Sequence, residues 1–417
     1  MGPMALFDKS FLQSLSVDES VWFDHLFMAV VCPLFYIETL ADLAKSPNDR
    51  RKGEDLVRII ASKFPEVGGS PCAEHSTLIV NNFLGFHLPL DGRIPRPGGR
   101  NVRSGTSSGA VFQQSPEEEA FSRWQKQDFQ EIERKHAQVW RANLNNLGLG
   151  AMARRMQEIG IDGQKFKSLE EVRKSAADFV TSRGPEMARL ALAVEVFRIP
   201  QEYHRSIIKR WLDEGKPALR DFAPYVSYAL EVEIFFYFAL GANLISSERA
   251  SNRIDISYLY YLPFCYVFVS GDKLHQKTAP LFLRGEQKFI WGPDLKSDLA
   301  KINAHYLQLP KEVREKGLHH FGTRPPSDGN FLVSALWDHF MRPDWRDDKP
   351  FVPNRERDKE FVAELKKFTN APTSSSTDHP MPDDIDHMSI SRLVKRQKGS
   401  WWQIGKNIKD DDDDGLS

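Results

Sequence analysis

The stretch Asp255-Ile-Ser-Tyr-Leu-Tyr-Tyr-Leu-Pro-Phe-Cys-Tyr-Val-Phe-Val-Ser-Gly-Asp272 decides how this chain is read. Its first half, IDISYLYYL, is compact and apolar and reads as helical. Its second half, PFCYVFVS, is rich in β-branched and aromatic residues and is bounded by Gly271, the pattern of a buried strand. GDKLH follows as a polar turn. QKFIWG (287–292) predicts a second strand, and a helix is expected to begin near Asp294. A strand, a helical return and another strand belong to an α/β fold. The competing reading is an all-helical scaffold, which requires residues 264–270 and 27–37 not to be strands.

The N-terminal end repeats the alternation. MALFD (4–8) is a short apolar run ending in an acid. Phe11, Leu12, Leu15, Val21, Trp22 and Leu26 recur at helical spacing, with Asp18 as the expected cap of a second short helix. FMAVVCPLFYI (27–37) predicts a buried strand, and ETLADLAK is expected to open a helix with acids in its first turn. Met1-Gly2-Pro3 reads as an appended leader ahead of Met4.

Between these halves the pattern changes. Residues 86–119, FHLPLDGRIPRPGGRNVRSGTSSGAVFQQSPEEE, are rich in Gly, Pro, Ser and Arg and are expected to form a loop or linker. From about Glu117 to Leu240 nearly everything reads helical. Within it, FAPYVSYALEVEIFFYFALGANLI (222–245) is long enough to span a bilayer, but Glu231 and Glu233 near its middle favour a buried core helix. The expected organisation is a core in two parts, 4–85 and 222–310, a helical insertion at 86–221, and an extension at 311–417. In that extension, 369–387 has the composition of a disordered segment. A basic and aromatic piece, RLVKRQKGSWWQIGK, precedes the acidic run Asp410–Asp414.

Composition narrows the function classes. The 417 residues carry a formal net charge of -1, so any affinity for nucleic acid must come from local patches. Cys32, Cys72 and Cys265, with no CxxC pair, argue against a disulfide framework and a cysteine zinc site. Neither a P-loop nor a GxGxxG after the first strand is present, and no GxSxG lies at a strand-to-helix elbow. With no secretion signal, a cytoplasmic location is expected.

Four acids fall where apolar strands meet helices: Asp8 after the first strand, Glu38 after the second, Asp255 at the head of YLYYL, and Asp272 after YVFVS. In open parallel sheets, the carboxyl ends of the strands converge on one edge, where ligands bind. Crowded carboxylates repel one another, and a hard divalent cation relieves that repulsion. In order and placement these acids resemble the PIN-domain family. Ser270-Gly271-Asp272 is similar to its Thr/Ser-x-Asp turn, FDKSFLQSL to its first motif with Ser10 as the hydroxyl residue, and FYIETLADL to its second, with Asp42 as a spare for Glu38. The resemblance covers roughly residues 4–80 and 225–305. It implies a three-layer α/β/α core with a parallel sheet, and Mg²⁺ or Mn²⁺ held by Asp8, Glu38, Asp255 and Asp272. It also implies metal-dependent phosphodiester cleavage leaving a 5′-phosphate, most often in RNA, with a DNase of the same fold on single-stranded or structured DNA left open. The wide separation of the second and third acids departs from compact family members. An interaction protein with an inactive core of the same fold is the alternative.

Each acid also has a plain structural reading. Asp8 suits a helix cap, Glu38 a helix-dipole position, Asp272 a turn, and Asp255 an ion pair with Arg253. His275 is expected at or near the surface, with substrate orientation or proton transfer as its functional alternative. Arg93, Arg96, Arg100 and Arg103 in the glycine-rich loop are candidates for phosphate contacts, or simply a solvated loop. His319, His320 and Arg324 are weaker candidates. Arg392, Lys395, Arg396 and Lys398 with Trp401 and Trp402 suit a single strand or a protein partner. A homodimer is also compatible with the sequence.

Overall fold

The computed structural model describes residues 2–45, 52–104, 107–182, 185–347, 363, 366–367, 370–373 and 396–405. The expectations for Arg392, Lys395, residues 369 and 374–387 of the segment 369–387, and the acidic run 410–414 lie outside those residues.

A five-stranded, wholly parallel sheet organises the chain. Its strands are β1 (Met4–Phe7), β2 (Met28–Val31), β3 (Gly69–Pro71), β6 (Val267–Ser270) and β7 (Lys288–Trp291), in the order β3-β2-β1-β6-β7. The remaining strands pair in hairpins, β4 (Arg100–Ser104) with β5 (Ser107–Val111), and β8 (Gln397–Lys398) with β9 (Trp401–Trp402). Every residue of β1, β2 and β6 is buried, so both faces of the sheet are covered. The chain is thus α/β, an arrangement consistent with three α/β/α layers, and the all-helical alternative does not hold.

Several boundaries move, each for a local reason. The second strand stops at Val31. Pro33 then opens the helix Pro33–Ala41, because proline suits a first helical turn and lacks the N–H a central strand needs. Glu38 therefore sits inside that helix rather than opening it. Ser16, not Asp18, caps the helix Val17–Leu26, in a capping box with Glu19. The glycine-rich loop contains the β4–β5 hairpin. GDKLH is a turn only at Gly271; Asp272 caps the helix Lys273–Thr278. Gly2 and Pro3 are part of the fold: the Pro3 carbonyl accepts the Met28 N–H at 3.2 Å.

The middle region is helical as expected, and its buried residues join those of the sheet in one apolar core. The helix Pro224–Gly241 packs against Leu149–Glu158, Leu169–Thr181 and His75–Phe83. It is buried along most of its length. Among the described residues no helix is long and apolar enough to cross a membrane. Its two mid-helix acids are neutralised locally: Glu231 by Arg173, and Glu233 by Arg253 and the Tyr260 hydroxyl.

The C-terminal hairpin is also part of the core. Trp401 is 1% exposed and meets Trp22 edge-on. Both indole N–H groups donate to Asn303 Oδ1, at 2.8 and 3.0 Å. Lys398 is buried and donates to the Phe64 carbonyl, and Arg396 pairs with Glu66 at 2.7 Å. Trp401 and Lys398 are thereby committed inside the protein, which overturns their reading as a single-strand or partner-docking surface.

Candidate active site

β1 and β6 lie side by side at the centre of the sheet. From β1 the chain steps outward through β2 to β3, and from β6 outward to β7, so the topological switch point falls between β1 and β6. Asp8 leaves the end of β1 and Ser270-Gly271-Asp272 the end of β6. The Asp8 N–H donates to the Val269 carbonyl, which places the two ends in contact.

Asp8 does the work of a cap and more. Its Oδ1 accepts the Phe11 N–H at 2.9 Å, closing the helix Lys9–Ser14. Its Oδ2 accepts the hydroxyls of Ser10 and Ser270, each at 2.7 Å, with His275 Nδ1 3.4 Å away. Burial opposes the charge, yet His275, Ser270 and the Phe11 amide together hold the carboxyl below its usual range.

His275 contradicts its expected surface position: it is fully buried, as the node of the site. Its Nε2 is 2.6 Å from the Asp255 carbonyl oxygen, which can only accept, so Nε2 carries a proton. Its Nδ1 is 2.8 Å from Ser270 Oγ. That hydroxyl is placed to give its own proton to Asp8 Oδ2, an arrangement that favours a proton on Nδ1 as well. Burial works against the charge of a doubly protonated ring, but Asp8 and Asp255 outweigh it and push the ring up to about 9. Ser270 Oγ additionally accepts the Asp272 N–H at 2.9 Å, and Asp272 Oδ1 caps its helix through the Leu274 N–H at 2.6 Å.

The other two acids are poised differently. Glu38 accepts the Tyr258 hydroxyl, and its own backbone carbonyl accepts Lys9 Nζ at 3.0 Å. Burial raises its proton affinity; Lys9 and Tyr258 pull it down, and the charge of Asp8 adds to the rise. Asp255 does not pair with Arg253, which is taken by Glu233. Among the described residues no donor reaches the Asp255 carboxylate. It is pushed up to about 7 by burial and by the charges of Asp272, Glu38 and Asp8, against the pull of His275. Those mutual effects require all four carboxylates to share one neighbourhood. The spare, Asp42, is already neutralised by Lys9 at 2.7 Å and Lys45 at 2.6 Å.

Oxygen donors of this kind suit a hard cation such as Mg²⁺ or Mn²⁺. Asp255 is the member with a carboxylate to spare. As the side chains stand, however, no three His, Cys, Asp or Glu groups among the described residues converge into a ready-made cation site.

The loop arginines are less available than their sequence suggests. Arg93 pairs with Asp91, and its neighbour Gly92 is tied to Pro263 ahead of β6, the end of that strand away from Asp272. Arg96 lies over the Phe112 ring at 4.6 Å, and Arg100 donates to the Ala371 carbonyl. The Arg103 side chain is exposed. Arg324 donates to the Trp345 and Asp347 carbonyls.

Sequence reasoning passed over Ser270 as anything but a turn residue, and passed over Tyr258 and Lys9 entirely. A usable signal existed in two of these cases: a hydroxyl one residue before the Gly-Asp turn, and a lysine adjoining the first acid. Comparison of the chain with protein-family models, curated proteins and solved structures gives no match.

Proposed function

We propose that this chain is a divalent-metal-dependent nuclease with a PIN-like core, acting on a phosphodiester bond at the carboxyl edge of its sheet. The observation that carries this reading is Asp255: a half-buried carboxylate without a hydrogen-bond donor among the described residues, pushed up to about 7 by burial and by three other acids. A fold that needed these acids only for structure would have no reason to crowd one of them against the rest unpaired. Asp8, Glu38, Asp255 and Asp272 are the proposed ligands of Mg²⁺ or Mn²⁺. When bound, such an ion supplies charge neutralisation at a phosphate and a water of lowered proton affinity. Asp8 is held by Ser10, Ser270 and Phe11, so its oxygens are fixed in direction. Asp255 is the side chain with freedom to turn toward an ion, while Asp272 is held at Oδ1 by the Leu274 N–H. RNA is the proposed substrate class, with single-stranded or structured DNA as the variant of the same reading.

The lack of a ready three-group site among the described residues favours a second reading, an interaction module whose PIN-like core is inactive. Cleavage of end-labelled single-stranded RNA and DNA with Mn²⁺ or Mg²⁺, compared with Asp255→Asn, separates them. Metal-dependent cutting lost in the variant supports the nuclease. No cutting by the folded wild-type protein under any of these conditions supports the module.

A further inference from the structure

We propose that His275 is a positioning residue of the acid site, a strut that fixes the main chain of Asp255 against the ends of β1 and β6. This rests on the cation-site reading above and goes beyond the four acids to which the motif resemblance points.

The geometry carries it. One imidazole spans three separate segments of chain. Nε2–H donates to the Asp255 carbonyl at 2.6 Å, in the helix Asn252–Ser257. Nδ1 lies within hydrogen-bond distance of Ser270 Oγ, at 2.8 Å, at the end of β6. The same nitrogen lies 3.4 Å from Asp8 Oδ2, at the end of β1. The ring is wedged edge-on between Tyr258, at 5.4 Å, and Phe268, at 5.0 Å. Its 0% exposure means that it touches no substrate and acts only through these neighbours.

Asp255 needs such a strut. It belongs to a short helix joined to the sheet by the 3-10 segment Tyr258–Phe264, and no side-chain hydrogen bond holds its carboxylate. The two contacts of His275 place the origin of that side chain relative to Asp8 and Asp272. Orientation of metal ligands by such supporting hydrogen bonds is typically worth 10–100-fold in metal affinity.

The two amides available by substitution divide the strut. In His275→Gln the amide nitrogen reaches the place of Nε2 and keeps the Asp255 contact. In His275→Asn it reaches only the place of Nδ1 and loses that contact. Mn²⁺ binding to the metal-free full chain is measured by calorimetry, with thermal unfolding alongside. The expected result is that His275→Asn weakens Mn²⁺ binding about 10–100-fold, while His275→Gln stays within about threefold of wild type. Equal Mn²⁺ affinity in wild type and both variants, with only a lower unfolding temperature, overturns the strut and leaves the cation site standing. Wild-type protein that binds no Mn²⁺ overturns the cation-site reading and the strut together. Wild-type NMR provides a check that does not depend on variants folding. The imidazole ¹⁵N–¹H spectrum should show a solvent-protected proton on Nε2, and a bare Nε2 overturns the strut.

Discussion

In the helix Pro224–Gly241, Glu231 and Glu233 each meet an arginine; at the carboxyl edge of the sheet, Asp255 meets none. Both neighbourhoods bury carboxylates, so both carry the cost of removing charge from water. Around Glu233, Arg253 and Tyr260 outweigh burial, and the carboxyl falls below its usual range. Around Asp255, burial and three like charges prevail, and the carboxyl climbs to about 7. Asp24 is also satisfied, by the N–H groups of Glu66, Val67 and Gly68 beside the buried Lys398, although burial still holds its carboxyl above the usual range. Acids that serve the fold are satisfied by the fold. At the edge, His275 and Lys9, the latter shared with Asp42, face Asp8, Glu38, Asp255 and Asp272, and the proposed divalent cation supplies the remaining positive charge.

The comparison breaks most visibly under substitution of Asp255. Asp255→Asn should lower metal-dependent cleavage by roughly two orders of magnitude or more, the scale for losing one preorganised charged group. The fold should survive, because no hydrogen bond is lost. An active variant in a cleavage assay removes Asp255 from the site. Glu233→Ala should do the reverse. It strands Arg253, should cost about 3–5 kcal/mol in chemical denaturation, and should leave Mn²⁺ affinity of the folded protein unchanged. A weakened Mn²⁺ affinity there means that the two neighbourhoods are not independent.

A smaller effect lies in pH. A carboxyl at about 7 must lose its proton to hold a cation, so affinity should rise with pH up to about 7 and then level off. In chelator the sign inverts. The folded state holds a proton on Asp255 that the unfolded chain has already lost, so this residue's contribution to stability falls as pH rises from about 4 to about 7. Asp255→Asn should remove that fall. Calorimetric titrations and denaturation curves across pH 5 to 8 read both effects, and identical profiles in wild type and variant contradict them. The smallest expected change is in the loop: Arg103→Ala should reduce the salt dependence of RNA binding by a slope of about 1 at most.

Much of the fold was legible because strands buried on both faces leave continuous apolar runs. MALF ends on Asp8, VFVS ends on Gly271-Asp272, MAVV lies within a longer apolar run, and QKFIWG ends on a glycine. The acids were legible because strand ends are marked by the same transitions. The failures have physical causes. FMAVVCPLFYI is apolar throughout, so period alone does not show that Pro33 turns it from strand to helix. The β4–β5 hairpin lies in a run of Gly, Ser and Arg with little apolar alternation. His275 was misjudged because its burial depends on Asp8, Asp255 and Ser270, which are distant or unremarkable in sequence and meet only in the folded chain. Trp401 was misjudged because the basic residues around it suggested a wet surface, whereas Asp18, Glu66 and Asn303 receive the tail.

The most direct test is a calorimetric titration of Mn²⁺ into the metal-free chain at pH 7.5, run in parallel on Asp255→Asn. Saturable binding to the wild-type protein, weakened at least about tenfold in the variant, is the predicted result. Binding of equal strength in both proteins, or none in the wild type, contradicts the assignment of the missing charge to a divalent cation.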